Sequence, residues 1–596
     1  LSVDQLSWYS RRRYPDPIVP RSLTYEVPER VDQAGKVLLP LDEDAVRRAV
    51  RKLKALGVEA FAVALLWSFR NPQHERRVGE IIGEMCPDAY ISLSCEVAPV
   101  IGEYERTATT VLNSYLASKV VLYLGRVEDL LRAQRFEGNF YVLNSGGGVM
   151  AAHEAAKKPV LLIASGPTGG VLGSLQIGQE IGQPNIITTD MGGTSFDVAI
   201  VIDGKPLVSA THEAGGYHLA TPMIDIRAVG AGGGSIAKVE NGLLSVGPES
   251  AGARPGPVCY GQGGTRVTVT DADVVLGIIS PDNFLGGRMK LDRNAAVDAI
   301  REQIAAPLGM KVERAAAGIR QVVDGHMADT LREMTIGRGH DPRDFVLFAY
   351  GGAGPAHCTS YGAELGVSNI IIPATSMAHS AFGALAADIH RTAERSFLLR
   401  GGGGERDPWD GIDFKVVVGL FKELEKQCLE ALRLSGVRKS KAELQCSIDM
   451  RYRQQTHELI VPIPGGRITA KTIRTVVEDF EKTYEAVYGQ GAGFRAAGIE
   501  LVTFRVAGIG RTAKPKIAGP KAARKPKPKT RRIFEPAGQR YISVKIWDWL
   551  DLPAGYRVIG PSIVEHPETT VYIGPGQTAN IDADGKLSID LGKVPK

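Results

Sequence analysis

Cysteine is scarce, with six in 596 residues: Cys86, Cys95, Cys259, Cys358, Cys428 and Cys446. None forms a C-x-x-C pair and their spacing fits no zinc site. So few thiols suit a reducing cytoplasm, which is the expected location. No uninterrupted apolar run is long enough to cross a membrane. The opening LSVDQLSWYSRRRYPDP lacks the apolar core of a signal peptide. Leu1 stands where a Met would be expected, and the segment reads as mid-domain sequence. That leads to the expectation that something upstream is missing, cleaved off or carried by another chain. No G-x-x-x-x-G-K-[ST] occurs, which excludes a P-loop enzyme. No tandem repeat of fixed period is found.

Acidic residues are absent from one stretch, Arg511 to Arg532, which holds ten basic residues. The formal charge of +5 is due to it, since the rest of the chain sums to −5. The basic balance is therefore local and does not argue for nucleic acid. The run is Pro-interrupted and has no helical period, so it reads as a linker or as an extended strap on a partner subunit.

What is abundant is glycine, 69 residues, much of it in short clusters. Residues 41–93 read as an amphipathic helix, a buried strand and a second amphipathic helix, LDEDAVRRAVRKLKALG, EAFAVALLWSF and HERRVGEIIGEMC. From 159 to 280 the sequence reads as β-branched strands and glycine turns, and from 294 to 340 as helix. GGGG at 401–404 marks an expected boundary. The expected divisions are 1–112, a core at 113–400, an α/β region at 401–510, the basic linker at 511–532 and a β-rich tail at 533–596.

Two glycine turns carry chemistry. In IITTDMGGTSFDVAIV, Gly192, Gly193, Thr194 and Ser195 join two apolar strands. Their N–H groups and hydroxyls can form an anion-binding concavity, since glycine permits positive φ and close phosphate approach. Asp190 and Asp197 flank the turn. Carboxylates beside a polyphosphate need a divalent cation, Mg²⁺ or Mn²⁺. The alternative is a plain hairpin with polar surface residues. In YGGAGPAHC, Gly351, Gly352 and Gly354 end a strand and Pro355 opens a helix whose N-terminus suits a phosphate or ribose. Together the two turns read as halves of one nucleotide cleft.

Other candidates stay open at this level. VGAGGGSIA, with Gly232 and Gly233, reads either as a clamp on the ligand or as a loop packed against a neighbour. Asp271 and Asp273 stand as supporting carboxylates or as a helix cap. GGGVMA at 146–151 fits a loose dinucleotide pattern but lacks a following acidic residue. His212 and His218 are weakly spaced metal ligands. Cys259 and Cys358 read as nucleophiles or as small buried residues, and His357 as a base or a first-turn residue.

DMGGTSFDVAIV, AVGAGGGSIAKVENGLLSVGPESAGARPGPVCYGQGG, TVTDADVVLG, YGGAGPAH and GPSIVEHPETTVYIGPGQ together resemble the hydantoinase A/oxoprolinase family, in order along essentially the whole chain. That family contains N-methylhydantoinase, 5-oxoprolinase, caprolactamase and the ATP-binding subunits of acetone and acetophenone carboxylases. The resemblance implies an α/β, actin-like (ribonuclease-H-like) ATPase fold with a β-rich C-terminal region. It assigns Asp190, Gly192, Gly193, Thr194, Ser195 and Asp197 to phosphate and Mg²⁺, and Gly351, Gly352 and Gly354 to the nucleotide. The family's first phosphate motif, of the form G-I-D-V-G-G-T-F-T-D, is not in this sequence. A small separate chain or an upstream segment is expected to supply it. Phe196 also departs from the pattern and is expected to tune the neighbouring pocket. The implied activity is phosphorylation by ATP of a carbonyl or enol oxygen, for carboxylation of an acetophenone-like ketone or for hydrolysis of a cyclic amide. A hydantoinase B-like partner would host the later step. The competing readings are a non-catalytic scaffold and a sugar-kinase-like activity.

Overall fold

The computed structural model describes residues 16–209, 212–404, 406–455, 457–465, 468–517, 519 and 526–592. They form two compact units.

The first unit takes the described residues up to Ser165, then those of 209–223 and of 388–512. Helix Glu43–Ala55 starts where the Asp42 carboxylate accepts the Ala45 N–H at 2.9 Å. It packs with Gln73–Met85 around the parallel strands Ala60–Val63 and Tyr90–Leu93. A single helix, Glu103–Ala133, follows. The unit's main sheet has six strands: Leu459–Ile463, Ala442–Tyr452, Ile499–Gly510, Ile389–Arg400, Val149–Ala151 and Tyr141–Leu143, in that order. Helices Phe414–Leu434 and Ala470–Tyr488 cover it through a core that includes Phe421, Phe480 and Phe504. The expected boundaries at 112/113 and 400/401 both fall inside this unit. GGGG is not a linker there. Its Gly401 takes the close approach of the 407–408 backbone, where an added Cβ would lie 1.9 Å from the Pro408 carbonyl oxygen. GGGVMA belongs to the antiparallel hairpin of Tyr141–Leu143 with Val149–Ala151, so it opens no phosphate-binding helix.

The second unit takes 166–208, 224–387 and the described residues from Ala513 on. Its sheet is built on β1 (Ile186–Met191), β2 (Phe196–Ile202), β3 (Ile226–Val229), β4 (Val346–Tyr350) and β5 (Asn369–Ile372). The spatial order is β3-β2-β1-β4-β5. β1, β2 and β3 pair antiparallel, while β4 runs parallel to β1 and β5 to β4. Both faces are covered, so the strands are apolar without alternation. Ile186, Phe348 and Tyr350 join one core while Ile187, Leu347 and Ala349 join the other. Helices α1 (Val269–Leu276), α2 (Val312–Met334) and α3 (Gly354–Leu365) contribute to the second of these.

Two expectations are corrected in this unit. Ser165–Glu180 is a helix, not strand and turn. Its glycines make a surface for close packing: a Cβ at Gly170 would lie 2.3 Å from the Tyr350 hydroxyl, and one at Gly169 2.4 Å from the Ser380 carbonyl oxygen. The β-rich tail does not stand alone either. Leu587–Asp590 pairs antiparallel with β5 and extends the central sheet. Part of the basic run is structured too. Lys529–Glu535 is the first strand of a four-stranded sheet, and Arg531 pairs with Glu565 at 2.5 Å. Arg511, in the first unit, meets Asp388 and Glu443.

Candidate functional site: a glycine-turn cleft in the second unit

The β1–β2 hairpin closes on Gly192–Ser195, with the Gly192 N–H donating to the Ser195 carbonyl at 3.2 Å. The carbonyls of this turn are held from behind. Gly233 N–H donates to Gly192 O at 3.0 Å and Gly234 N–H to Gly193 O at 2.7 Å. Thr270, at the start of α1, in turn donates to Gly233 O through its N–H and its hydroxyl, both at 2.8 Å. Among the described residues, the N–H groups of Gly193 and Thr194 donate to nothing. Unsatisfied donors on a fixed turn are what an anion requires.

Neither Gly192 nor Gly193 has a left-handed backbone, contrary to expectation. Glycine serves here to leave space, because a Cβ at either position would meet nothing within 4 Å. Gly232 differs: its Cβ would lie 2.7 Å from the Gly193 backbone, so it is a packing glycine, while Gly233 lines the cleft. Gly193→Ala is therefore expected to leave stability within about 0.5 kcal/mol of the wild type but to weaken phosphate-ligand binding. Gly232→Ala is expected to cost about 1–3 kcal/mol through overpacking. Thermal melts and calorimetric titration with nucleotide on both variants check the contrast.

Asp190 and Asp197 are cross-strand partners, so both carboxylates lie on one face of the hairpin. Burial, then the neighbouring Asp197, pushes the Asp190 carboxyl up to about 6. Burial raises Asp197 as well, against the Ser195 hydroxyl, which donates to it at 3.3 Å. No Lys or Arg ion pair reaches either carboxylate among the described residues. Two partly buried carboxylates without a counter-cation fit a divalent metal. No group of three or more protein ligands stands there or elsewhere among the described residues, so phosphate and water oxygens would complete the shell.

The second turn meets the first. Gly351 has φ +80° and its Cα packs on Asp190, where a Cβ would lie 2.4 Å from Oδ1. The Ala353 N–H donates to Met191 O at 3.0 Å, and α3 begins at Gly354 with Pro355 in its first turn. Between the turns opens a cavity of about 380 Å³. Gly192, Gly193, Gly233 and Gly352 form one wall, and Tyr260, Phe284 and Met377 are among its apolar residues. Glu565, Glu568 and Thr570, from the C-terminal region, also line it. Its size suits a small-molecule ligand. Asp190 and Asp197 stand beside the turn rather than in the cavity wall.

Beneath the cleft lies a network of buried charges that sequence reasoning missed. His357, in the first turns of α3, meets Asp324 Oδ1 at 2.6 Å through Nδ1 and Asp273 Oδ2 at 3.0 Å through Nε2. Arg320 Nη1 donates to Asp273 Oδ1 at 2.5 Å, and its Nη2 donates to the Ala356 carbonyl. Burial and Arg320 press the imidazole down, but the two carboxylates outweigh them and hold it above the ordinary range. Burial opposes the Asp273 charge, and Arg320 and His357 outweigh it, leaving Asp273 below the carboxylate range. The network ties α1, α2 and α3 together, and Asp273 reaches the cavity wall. The signal available in the sequence was a charged i, i+4 pair, Arg320 and Asp324, on the apolar face of α2.

The remaining candidates settle as structure. Asp271 completes a capping box with Thr268 and accepts the Cys259 N–H at 2.7 Å. Cys259 and Cys358 are fully buried, and burial pushes Cys358 up to about 12 and Cys259 higher still. Phe196 does not tune a pocket: it is wholly buried, edge-on to Tyr361. His212 pairs with Leu219, and His218 with Glu213, which puts the two histidines on opposite faces of their hairpin. Among the described residues no helix is long and apolar enough to cross a membrane.

A glycine turn with free N–H groups, paired carboxylates and a second glycine turn against a helix N-terminus meet around one cleft. Residues 106–393 match the hydantoinase/oxoprolinase family, 413–587 its C-terminal domain and 4–86 its N-terminal region. The chain belongs to the hydantoinase/oxoprolinase family. It is 35% identical to the acetone carboxylase beta subunit of Xanthobacter autotrophicus, over 95% of this chain and 80% of that one. It is 36% identical to the acetophenone carboxylase gamma subunit of Aromatoleum aromaticum, over 96% and 79%. The crystal structure of the ATP-dependent caprolactamase from Pseudomonas jessenii superposes with a TM-score of 0.86 at 32% identity, over 99% of this chain and 86% of that one.

Proposed function

We propose that this chain is the ATP-binding subunit of a multi-subunit, ATP-dependent carboxylase that phosphorylates the enol oxygen of an acetophenone-like ketone. The observation that carries the reading is the Gly192–Ser195 turn. It offers free N–H groups beside Asp190 and Asp197, two carboxylates with no protein cation. Free donors would hold the phosphate oxygens of ATP, and the α3 N-terminus would add its dipole. Mg²⁺ or Mn²⁺ held by Asp190 and Asp197 would neutralise the charge that develops on the transferred phosphoryl group. The chain's own contribution is alignment and charge stabilisation, which is most of what phosphoryl transfer asks of a protein. The β3-β2-β1-β4-β5 order, with β2 alone running opposite to the other four strands, supports an actin-like fold for this unit.

Two of the relatives are carboxylase subunits, named beta and gamma, which supports a hetero-oligomer. A hydantoinase B-like partner would receive the enol phosphate and bond its carbon to that of bicarbonate, with the phosphoryl group and the bicarbonate hydroxyl oxygen leaving together as inorganic phosphate. The superposition on caprolactamase favours a second reading, ATP-dependent opening of a cyclic amide. ATP turnover of the complex is the test, measured with acetophenone-type and small ketones plus bicarbonate, with lactams and hydantoins, and with sugars. Ketone-dependent turnover that requires bicarbonate is expected. Turnover with lactams alone would replace the first reading by the second, and none with either would refute both.

A further inference from the structure

We infer that the first unit carries a separate binding site for a small oxyanion, in a cavity where Lys158 and Arg391 make no ion pair among the described residues. The cavity measures about 670 Å³ and lies wholly within that unit, between the Ile389–Arg400 strand, the Phe414–Leu434 helix and the segments around Glu96 and Glu154.

Four carboxylates line it, and each already has a cation. Glu96 lies 3.9 Å from Arg76, Glu154 2.9 Å from Lys157, Glu394 2.9 Å from Arg505 and Glu423 2.9 Å from Arg395. Three lining cations are left over. The Arg70 guanidinium lies over the Phe397 ring at 3.7 Å, and no carboxylate pairs with it among the described residues. Arg391, only 7% exposed, spends its Nη groups on neutral acceptors, the Ser435 hydroxyl at 2.6 Å and the His390 and Val149 carbonyls at 3.1 and 3.5 Å. Its Nε has no partner. Among the described residues the Lys158 amine makes neither a hydrogen bond nor an ion pair.

A half-buried ammonium without an ion pair is costly, and a buried guanidinium with an empty N–H more so. Burial outweighs the pull of Glu394, Glu96 and Glu154 on Lys158 and of Glu154 on Arg391, and holds both groups below their ordinary proton affinities. An oxyanion in the cavity would give the Lys158 amine a partner and set a further negative charge beside the Arg391 guanidinium. Carboxylate, bicarbonate and phosphate share the required chemistry: negative oxygens that accept from an ammonium and a guanidinium together.

Competitive amine labelling of the full chain, read by peptide mass spectrometry, tests the site without nucleotide or metal. Bicarbonate, acetate and phosphate are each added at constant ionic strength, with chloride as the balance. One or more should slow labelling of Lys158 several-fold and leave the other lysines unchanged. Protection by bicarbonate alone would assign the site to inorganic carbon, by acetate to a carboxylate-bearing substrate, and by phosphate to a phosphorylated one. Lys158→Met should weaken calorimetric binding of the protecting anion about tenfold or more, and Lys158→Arg should restore part of it. Thermal melts confirm that both variants are folded. If no anion protects Lys158, or if Lys158→Met binds as tightly as the wild type, the inference is overturned.

Discussion

Asp190→Asn is expected to lower ATP turnover by about three orders of magnitude while leaving the protein as stable as before, or more so, at pH 7. Loss follows from geometry. Asp190 and Asp197 face each other across the hairpin beside a turn whose free N–H groups suit a phosphate, and an amide cannot replace a charged metal ligand. Retained stability follows from linkage. The Asp190 carboxyl titrates at about 6 in the folded chain against an ordinary 3.8, so the folded state holds the proton more tightly than the unfolded state. Its contribution to stability therefore grows as pH falls through about 6, is complete below about 3.8, and is absent at pH 7. At pH 7 the ionised carboxylate is a burden that the amide removes. Thermal melts from pH 4 to 8 should show the wild type losing this increment on the way up and Asp190→Asn not doing so. Addition of Mg²⁺ with nucleotide should raise the melting temperature of the wild type only. Unchanged turnover in folded Asp190→Asn would remove Asp190 from the site.

The hairpin was legible because its information is local. Two apolar runs, a glycine turn and carboxylates near the two strand ends determine register and face within sixteen residues, Ile186 to Val201. The same holds for YGGAGP, where a strand end, three glycines and a proline fall within six residues. Legibility failed where one residue type serves two physical ends. The glycines of Ser165–Glu180 read as turn formers, yet they are helix positions from which side chains are excluded by Tyr350 and Ser380. Gly193 read as a conformational necessity and is a spatial one. It failed again where the partner is remote. His357 meets Asp273 across 84 positions and Asp324 across 33, and nothing in YGGAGPAH alone identifies either. The return of Leu587–Asp590 to the edge of β5 is likewise a pairing of distant segments. Glu565 and Glu568 reach the cavity wall through another remote contact, the hairpin whose Thr569 hydroxyl donates to the Gly352 carbonyl and whose Tyr572 carbonyl accepts from Thr359.

Arg320→Met should be the most destabilising single change near the cleft, at about 3–5 kcal/mol, because it removes one member of a buried charge network and strands the others. Arg320, Asp273, Asp324 and His357 are each at least 95% buried by side chain. With Arg320 gone, Asp273 keeps only His357, and the Ala356 carbonyl in the first turn of α3 loses its donor. The cost of Arg320→Met and that of Asp273→Leu should not add. The double variant should be less destabilised than the sum, since each single change exposes the partner's unmet charge. The pH dependence has two arms of opposite sign. Asp273, held below its ordinary 3.8, stabilises fully above that value and loses the effect as pH falls through its lower folded value. His357, held above its ordinary 6.5, stabilises fully below that value and loses the effect as pH rises through its higher folded value. Wild-type stability from this network should therefore be greatest between about pH 4 and 6.5 and decline on both sides. In Arg320→Met the acid arm should move towards neutral pH, because Asp273 has lost its strongest counter-charge. Nucleotide affinity should fall along with stability in variants that still fold, since Asp273 reaches the cavity wall and α3 carries the second glycine turn. Denaturant titrations of the two single variants and the double variant across pH 4–8 make the measurement. Additive losses below about 1 kcal/mol each, with an unmoved acid arm, would show that the buried charges are independent and that the network does not hold the cleft.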